Sequence, residues 1–298
     1  MKAARLIPAS LALASLLSTL NSQLSTCIAA ATTINAVNKY AYGANVGWLD
    51  WRGNTNNGAV IGDYVCAGTI YSANTGWINL GNGTPTNGIQ YLNLSASDCG
   101  VNHDGAGNLR GFAYGANIGW INFETNGAPR VDLLSGKISG SVYSANCGWI
   151  SLSNTFAFVQ TDSFDPGVLA PNGLPVAWLL QNFGTTNVIA GADPDSDGVS
   201  NAQEYQAGTN PNDTASRLRI TSQIFAKGGT NATLQWTSVS NRLYHIERNV
   251  NLASSLSWGE SALGTIAPDI APTTMRAFAD TNAPVRFYRI RAARPLAP

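Results

Sequence analysis

Four carboxylates fall within twelve residues in the stretch Asp193-Pro-Asp195-Ser-Asp197-Gly198-Val199-Ser-Asn201-Ala-Gln-Glu204. The spacing D-x-D-x-D-G-x5-E meets every fixed position of a calcium loop. Calcium takes roughly six to eight hard oxygen ligands, and this spacing can supply them in one turn of chain. Asp193, Asp195 and Asp197 offer carboxylates, Gly198 permits the sharp bend, and Val199 can offer its backbone carbonyl. Asn201 sits where a side chain or a water completes the shell, and Glu204 can bind through both oxygens. Without a cation these carboxylates repel one another. The plainer alternative is an acidic, solvated turn that caps the helix after it. With a single such loop in the chain, the expectation is a structural Ca2+ ion rather than a signalling site.

Two short helices are expected to hold this loop. The segment from 161 to 216 opens with Pro166, Pro171 and Pro175 and several glycines, the composition of a linker. Residues 175–183 read as a helix stopped by Gly184, and residues 200–207 as a second one leaving the loop. The gap between Gly184 and Asp193, and the sequence Gly208-Thr-Asn-Pro-Asn-Asp213 after the exit helix, are similar to thrombospondin type 3 or dockerin-like calcium repeats, a variant of the EF-hand loop. The resemblance implies an exported bacterial protein. In that pattern an Asp can also face the metal at the position occupied here by Asn210.

Upstream, one phrase is written four times: Tyr42-Gly-Ala-Asn45-Val-Gly47-Trp48-Leu49, Tyr71-Ser-Ala-Asn74-Thr-Gly76-Trp77-Ile78, Tyr114-Gly-Ala-Asn117-Ile-Gly119-Trp120-Ile121 and Tyr143-Ser-Ala-Asn146-Cys-Gly148-Trp149-Ile150. Copies one and three, and copies two and four, are each 72 residues apart, so the pattern is a duplicated pair. Each copy has the grammar of a β-hairpin, and repeats of this length usually stack because one unit cannot bury its apolar face alone. A loop with an even number of residues would set Gly43 opposite Trp48, Ser72 opposite Trp77, Gly115 opposite Trp120 and Ser144 opposite Trp149. Period two then gives one face that is apolar in every copy, formed by Leu49 and Trp51, Ile78 and Leu80, Ile121 and Phe123, and Ile150 and Leu152. The other face carries each Trp beside Asp50, Asn79, Asn122 or Ser151. Two readings of that face stand side by side. The indoles cover their facing Gly or Ser and pack between stacked repeats, or they form a partly exposed platform for stacking on glycans.

The run Arg130 to Tyr143 contains two alternating stretches split by Ser-Gly, an additional strand and a tight turn before the fourth hairpin. Phe112-Ala-Tyr-Gly-Ala-Asn-Ile-Gly-Trp-Ile-Asn-Phe resembles repeats of the type YAWGENIGWINF in exported bacterial proteins, and Gly100 to Gly111 resembles the linker such repeats carry. The likeness spans about residues 38 to 154 and implies a secreted or surface-displayed β-repeat module without supplying a reaction.

Residues 1–31 read as a targeting segment. Lys2 and Arg5 precede an apolar run to Leu20, and Ala29-Ala30-Ala31 suits a signal peptidase. A lipoprotein signal ending at Cys27 is the alternative. No other run approaches the roughly 20 apolar residues of a membrane span. Removing this leader leaves Cys66, Cys99 and Cys147, hence one bridge and a free thiol, or no bridge. Charged residues make up 11% of the chain, against about 25% in ordinary soluble domains. The 17 Lys and Arg balance the 17 Asp and Glu, so no bulk field draws the chain to nucleic acid or an anionic membrane.

Cysteine or histidine catalysis has little material, because the chain has two histidines, His103 and His245, in separate regions. A glycoside hydrolase would need paired carboxylates, for which Asp50 and Glu124 are the only repeat-face acids. Residues 217–298 show strand-like runs at β-sandwich spacing. Tyr244-His-Ile-Glu-Arg, Ser257-Trp258 and Ala283 to Arg291 are similar to fibronectin type III-like modules. Arg286, Arg289 and Arg291 form a basic stripe, read as a solvated strand face.

The expected fold class is therefore all-β and multidomain. It comprises a signal peptide (1–31), an antiparallel β-repeat domain (32–160), a short helical calcium-loop connector (161–216) and a C-terminal fibronectin/Ig-like β-sandwich (217–298). The expected function is that of a secreted or cell-surface structural or adhesive protein, not an enzyme. The alternative is a carbohydrate-binding module using Trp48, Trp77, Trp120 and Trp149, with an extracellular glycan or another surface protein as partner.

Overall fold

A computed structural model describes residues 32–54, 56–124, 126–225, 231–251, 258–270, 272–280 and 286–297. The expected signal peptide, with Cys27, lies outside the described residues. Antiparallel strands dominate, with two short helices, so the chain is mostly β as expected.

The four repeat phrases form four hairpins. They are β1 (Ile34–Gly43) with β2 (Gly47–Asp50), β3 (Cys66–Ser72) with β4 (Gly76–Asn82), β5 (Leu109–Gly115) with β6 (Gly119–Asn122), and β7 (Ser141–Ser144) with β8 (Gly148–Ser151). Each hairpin pairs with the next, and β8 pairs back onto β1, closing an eight-stranded barrel. The junctions share one register: Leu49 opposite Ser72, Ile78 opposite Gly115, Ile121 opposite Ser144 and Ile150 opposite Gly43. The expected stack of repeats thus closes into a ring, which leaves these eight strands without an open edge.

The hairpin register differs from the expected one. The loops hold three residues, Ala-Asn-X, so Tyr42 faces Trp48, Tyr71 faces Trp77, Tyr114 faces Trp120 and Tyr143 faces Trp149. A β-turn bond from the Val46 N–H to the Gly43 carbonyl (3.1 Å), matched by Ile118 to Gly115 (3.1 Å), precedes a glycine with positive φ in each copy. The residue just after each three-residue loop is thus left-handed, a conformation glycine adopts without steric cost, which explains Gly47, Gly76, Gly119 and Gly148.

The expected apolar face lines the barrel interior: Leu49, Trp51, Ile78, Leu80, Ile121, Phe123, Ile150 and Leu152 are all buried, joined by Ala41, Ile70, Ala113 and Val142 from the first strands of the hairpins. The residual void among them is about 10 Å³, so the barrel is a packed core rather than a pore. Val46, Thr75, Ile118 and Cys147, also buried, come from the loops at the barrel's tip. Bulk alternates there. A Cβ on Gly43 would meet Val46 at 2.7 Å, and one on Gly115 would meet Ile118 at 3.0 Å. Where the loop residue is the smaller Thr75 or Cys147, the corresponding position is Ser72 or Ser144.

The ring of asparagines closes the same end. Asn74 Nδ2 donates to the Val46 carbonyl (3.1 Å), Asn117 to Thr75 (3.0 Å), Asn146 to Ile118 (3.0 Å) and Asn45 to Cys147 (3.1 Å). Each bond ties a hairpin tip to its neighbour. Beyond the barrel, β1 pairs with residues Val159–Thr161, which carry Lys137–Ser139 and Arg130–Val131 in turn. The extra strand before the fourth hairpin is therefore present, on the flank. Cys66, Cys99 and Cys147 are free thiols.

The connector contains helix α1 (Val176–Phe183) and helix α2 (Asn201–Ala207), with Gly184 and Gly208 as left-handed C-caps. Trp178 meets Tyr205 edge-on at 5.6 Å over Leu179, Leu174 and Ala170. In the C-terminal region, β9 (Ile220–Phe225), β10 (Asn231–Thr237) and β13 (Thr273–Ala279) form one three-stranded sheet. The other is formed by β11 (Leu243–Asn249), β12 (Gly259–Glu260) and β14 (Phe287–Ala293). Leu234, Trp236 and Phe278 from the first and Tyr244, Ile246 and Ala292 from the second share one buried cluster.

Candidate functional sites: an acidic loop and an aromatic belt

The backbone of the acidic loop folds around its own carboxylates. Asp193 accepts from the N–H groups of Ser196 (2.9 Å), Asp197 (3.2 Å) and Gly198 (2.9 Å), and Asp197 accepts from Val199 (2.8 Å). Gly198 has φ +92 with open space where a Cβ would stand, so this glycine serves the bend and not a close contact. Ser200 and Gln203 form a capping box that starts α2 at Asn201. The Asn201 amide donates to the Ile189 carbonyl (2.9 Å) and Arg217 donates to the Asp197 carbonyl (3.1 Å), fixing the loop from both sides.

Ligand oxygens of Asp193, Asp195 and Asp197 lie within 4.8 Å of one another, and this cluster could hold a metal ion. Two oxygens bound on opposite sides of one Ca2+ would stand about 5 Å apart at bond lengths of 2.3–2.6 Å, so the spread fits. Asn201 and Glu204 are each 1% exposed. Asp195 Oδ2, Asp197 Oδ2, Asn201 Oδ1 and both Glu204 oxygens are buried without a hydrogen-bond donor. Orphaned buried oxygens are costly unless something positive meets them. Burial pushes the Glu204 carboxyl up to about 6; the nearby Thr209 hydroxyl opposes this, and the charges of Asp197, Asp195 and Asp193 add to it. Asp195 is raised by burial and by its two acidic neighbours, whereas Asp193 is held low, chiefly by the Gly198 N–H. Three of the expected side-chain ligands, Asp193, Asp195 and Asp197, are thus in one place, and Glu204 is near enough to feel their charges. Asn210 instead accepts from the Asn212 N–H (3.1 Å) in a turn of its own.

The second candidate is outside the barrel. Trp48, Trp77, Trp120 and Trp149 are 50%, 47%, 48% and 52% exposed, which overturns the reading in which they pack over Gly or Ser between repeats. The physical reason is the odd loop: each indole faces a tyrosine of its own hairpin, at centroid distances of 5.0, 4.8, 4.8 and 5.2 Å. Each tyrosine in turn stands opposite Ser151, Asp50, Asn79 or Asn122 of the adjoining hairpin. Eight half-exposed rings, interleaved with polar side chains, therefore belt the barrel. The third hairpin differs from the rest, because Ala96, Cys99 and Phe112 join Tyr114, Trp120 and Asn79 to line a hollow of about 520 Å³.

The catalytic alternatives do not assemble. Asp50 pairs with Lys39 (2.8 Å) on the first hairpin, and Glu124 follows the third, where it accepts from the Gly111 N–H (2.8 Å) and pairs with Arg110 (3.5 Å). The two carboxylates belong to hairpins on opposite sides of the ring. The C-terminal arginines are engaged as well: Arg289 and Arg291 both bind Glu247, at 2.6 and 2.7 Å, and Arg286 pairs with Asp280 (3.4 Å). His245 lies 3.2 Å from Glu260, while His103 is buried beside the barrel. The tyrosine partners and the asparagine ring escaped the sequence reading, although both are spelled in the repeat; the Asn-X-Gly ending of a three-residue loop was the available signal.

No protein-family model matches the chain, and no curated protein or solved structure matches it.

Proposed function

We propose that this is a secreted or cell-surface structural or adhesive protein in which Ca2+ stiffens the connector between the barrel and a C-terminal β-sandwich. The observation that carries the reading is the set of five buried, donorless oxygens on Asp195, Asp197, Asn201 and Glu204. Asp193, Asp195, Asp197, Asn201 and Glu204 would hold the ion by their side chains and Val199 by its carbonyl, the ligand set of a thrombospondin type 3 or dockerin-like loop. The ion would supply positive charge to a loop that otherwise buries repelling carboxylates, and so order the connector. The buried cluster shared by the two C-terminal sheets around Trp236 and Tyr244 supports reading this region as a small fibronectin-like sandwich.

Calorimetric titration of the chelator-treated protein with CaCl2 tests this. One ion per chain, and loss of that uptake in Glu204→Gln, is the expected result; an absent heat signal together with a melting temperature indifferent to EDTA would refute it.

Half-exposure of the four indoles favours a second reading, binding of an extracellular glycan on the aromatic belt. Fluorescence quenching by an added oligosaccharide, reduced in Trp120→Ala, would support it. The barrel's inside-apolar alternation, with Asp50, Asn79, Asn122 and Ser151 facing outward, is the reverse of a membrane-spanning barrel's. Among the described residues no helix is long and apolar enough to cross a membrane.

A further inference from the structure

The belt is fourfold in its tyrosines and tryptophans but only twofold one step further along each strand. Within the hairpins, the residues opposite Asp50, Asn79, Asn122 and Ser151 are Tyr40, Thr69, Phe112 and Ser141. The first and third hairpins therefore carry a further ring beside the indole: Tyr40 stands edge-on to Trp48 at 6.2 Å, and Phe112 to Trp120 at 6.4 Å. The first of these triads is charged, because Lys39 Nζ lies 5.0 Å over the Tyr40 ring and pairs with Asp50. The triad on the third hairpin borders the hollow of about 520 Å³, whose lining includes no Asp, Glu, Lys, Arg or His.

The wall facing these rings is firmly built. It comes from the segment that carries Ala96 and Cys99, and buried groups hold that segment. The Tyr91 hydroxyl, on a residue 2% exposed, accepts from the Gly83 N–H at 2.6 Å. Asp98, 4% exposed, accepts from the N–H groups of Thr86 and Leu92, both at 3.1 Å. The Gly100 carbonyl then accepts from the Phe112 N–H at 3.1 Å, which ties the segment to the strand bearing two of the rings. Fixed walls and this volume suit a pre-formed ligand pocket, commonly about 300–1,000 Å³.

A ligand can reach the groups that would hold it. Trp120 is 48% exposed and Tyr114 45%, and Asn79 is exposed as well. Asn79 Oδ1 accepts from the Gly81 N–H at 2.8 Å, which fixes the amide and leaves Nδ2, a donor only, for a ligand. Aromatic faces beside one directed donor, without charge, suit a neutral molecule with an apolar C–H face and oxygens around its rim. A pyranose ring has that form.

We propose that the hollow on the third hairpin is the binding site for a neutral saccharide, its ring against Trp120 and Tyr114 and one of its oxygens accepting from Asn79 Nδ2. The proposal rests on the glycan reading of the aromatic belt and narrows it from four hairpins to one. Ligand-observed NMR and calorimetry on the full chain, with glucose, galactose, N-acetylglucosamine, maltose and cellobiose, test it. At least one of these should bind. Ala96→Trp fills the hollow from an exposed position outside the belt and leaves all eight belt rings in place; it should weaken binding about tenfold or more. Asn79→Asp keeps an oxygen for the Gly81 N–H, as Asp50 does for the Arg52 N–H (2.8 Å) at the matching position of the first hairpin, and removes the donor. It too should weaken binding about tenfold. Both substitutions are on the surface and should melt close to the parent, which separates a lost ligand contact from a lost fold. Binding that survives Ala96→Trp overturns the hollow and leaves the belt reading standing, whereas absence of binding by all five sugars overturns both. A proline-rich peptide that binds the parent but not Ala96→Trp, where no sugar does, would likewise overturn the proposal and reassign the hollow to a protein partner.

Discussion

At the tip of the barrel four asparagine amides each find a carbonyl on the neighbouring hairpin, whereas in the acidic loop five buried oxygens find no donor at all. Both regions are spelled by short, regular phrases, yet they meet the cost of buried polar groups differently. The barrel closes its accounts with its own backbone and amides. The connector leaves a cluster of carboxylates that could hold a metal ion. A region of the first kind should stand on packing alone, and one of the second kind should depend on what the medium contains.

The comparison can be broken most forcefully from the barrel side. Ile78→Ala empties a fully buried interior position and should cost about 2–5 kcal/mol in denaturant unfolding, equally in calcium and in EDTA. A calcium-dependent cost would show that the two regions are not independent. On the proposed calcium reading, withdrawal of the ion is the next largest effect. At free calcium 100 times the dissociation constant, binding contributes about 2.7 kcal/mol, so EDTA should lower hydrogen-exchange protection by that amount in the connector and leave the barrel strands protected. Uniform loss across the chain would dissolve the distinction.

Smaller effects sharpen it. Asn117→Ala removes one link of the tip ring and leaves the Thr75 carbonyl without its amide, a loss of about 1 kcal/mol measured by urea titration. Its effect should be matched by Asn45→Ala if the four links are equivalent. The smallest is a slope. His103 is held neutral by burial, against the weaker pull of Gly62, Asp104 and Asp63. Its folded pKa therefore lies below the unfolded value near 6.5, and the stability it contributes is present above that value and lost as pH falls from there through the folded pKa. Between pH 7 and 5 the parent should lose stability that His103→Phe does not; identical slopes would contradict this.

Much of this was legible in the letters. The clustering of Asp193, Asp195 and Asp197 is stated by spacing, because consecutive residues of one loop determine their own geometry, and α1 and α2 appeared where Pro175, Gly184, Ser200 and Gly208 mark their ends. The barrel's inner face followed from period two, Leu49 and Trp51 onward. The register failed at a single count: three loop residues instead of an even number turn each tryptophan from a glycine or serine to a tyrosine. Ring closure could not be read either, since the pairing of Tyr42 with Ser151 joins positions separated by the whole domain. Nor could the hollow beside Trp120, whose wall is completed by Ala96 and Cys99, residues with no local pattern to announce them.

The alternation of Gly43 with Val46 and Ser72 with Thr75, repeated by Gly115 with Ile118 and Ser144 with Cys147, makes the barrel two equal halves and not four equal quarters. A polypeptide carrying one half alone would meet, in a second copy of itself, each junction register that the duplicated half supplies here. The module is in this sense a covalently tethered dimer: the linker between the second and third hairpins replaces a concentration-dependent encounter with an intramolecular one, and frees each half to diverge, as the hollow beside Trp120 already has.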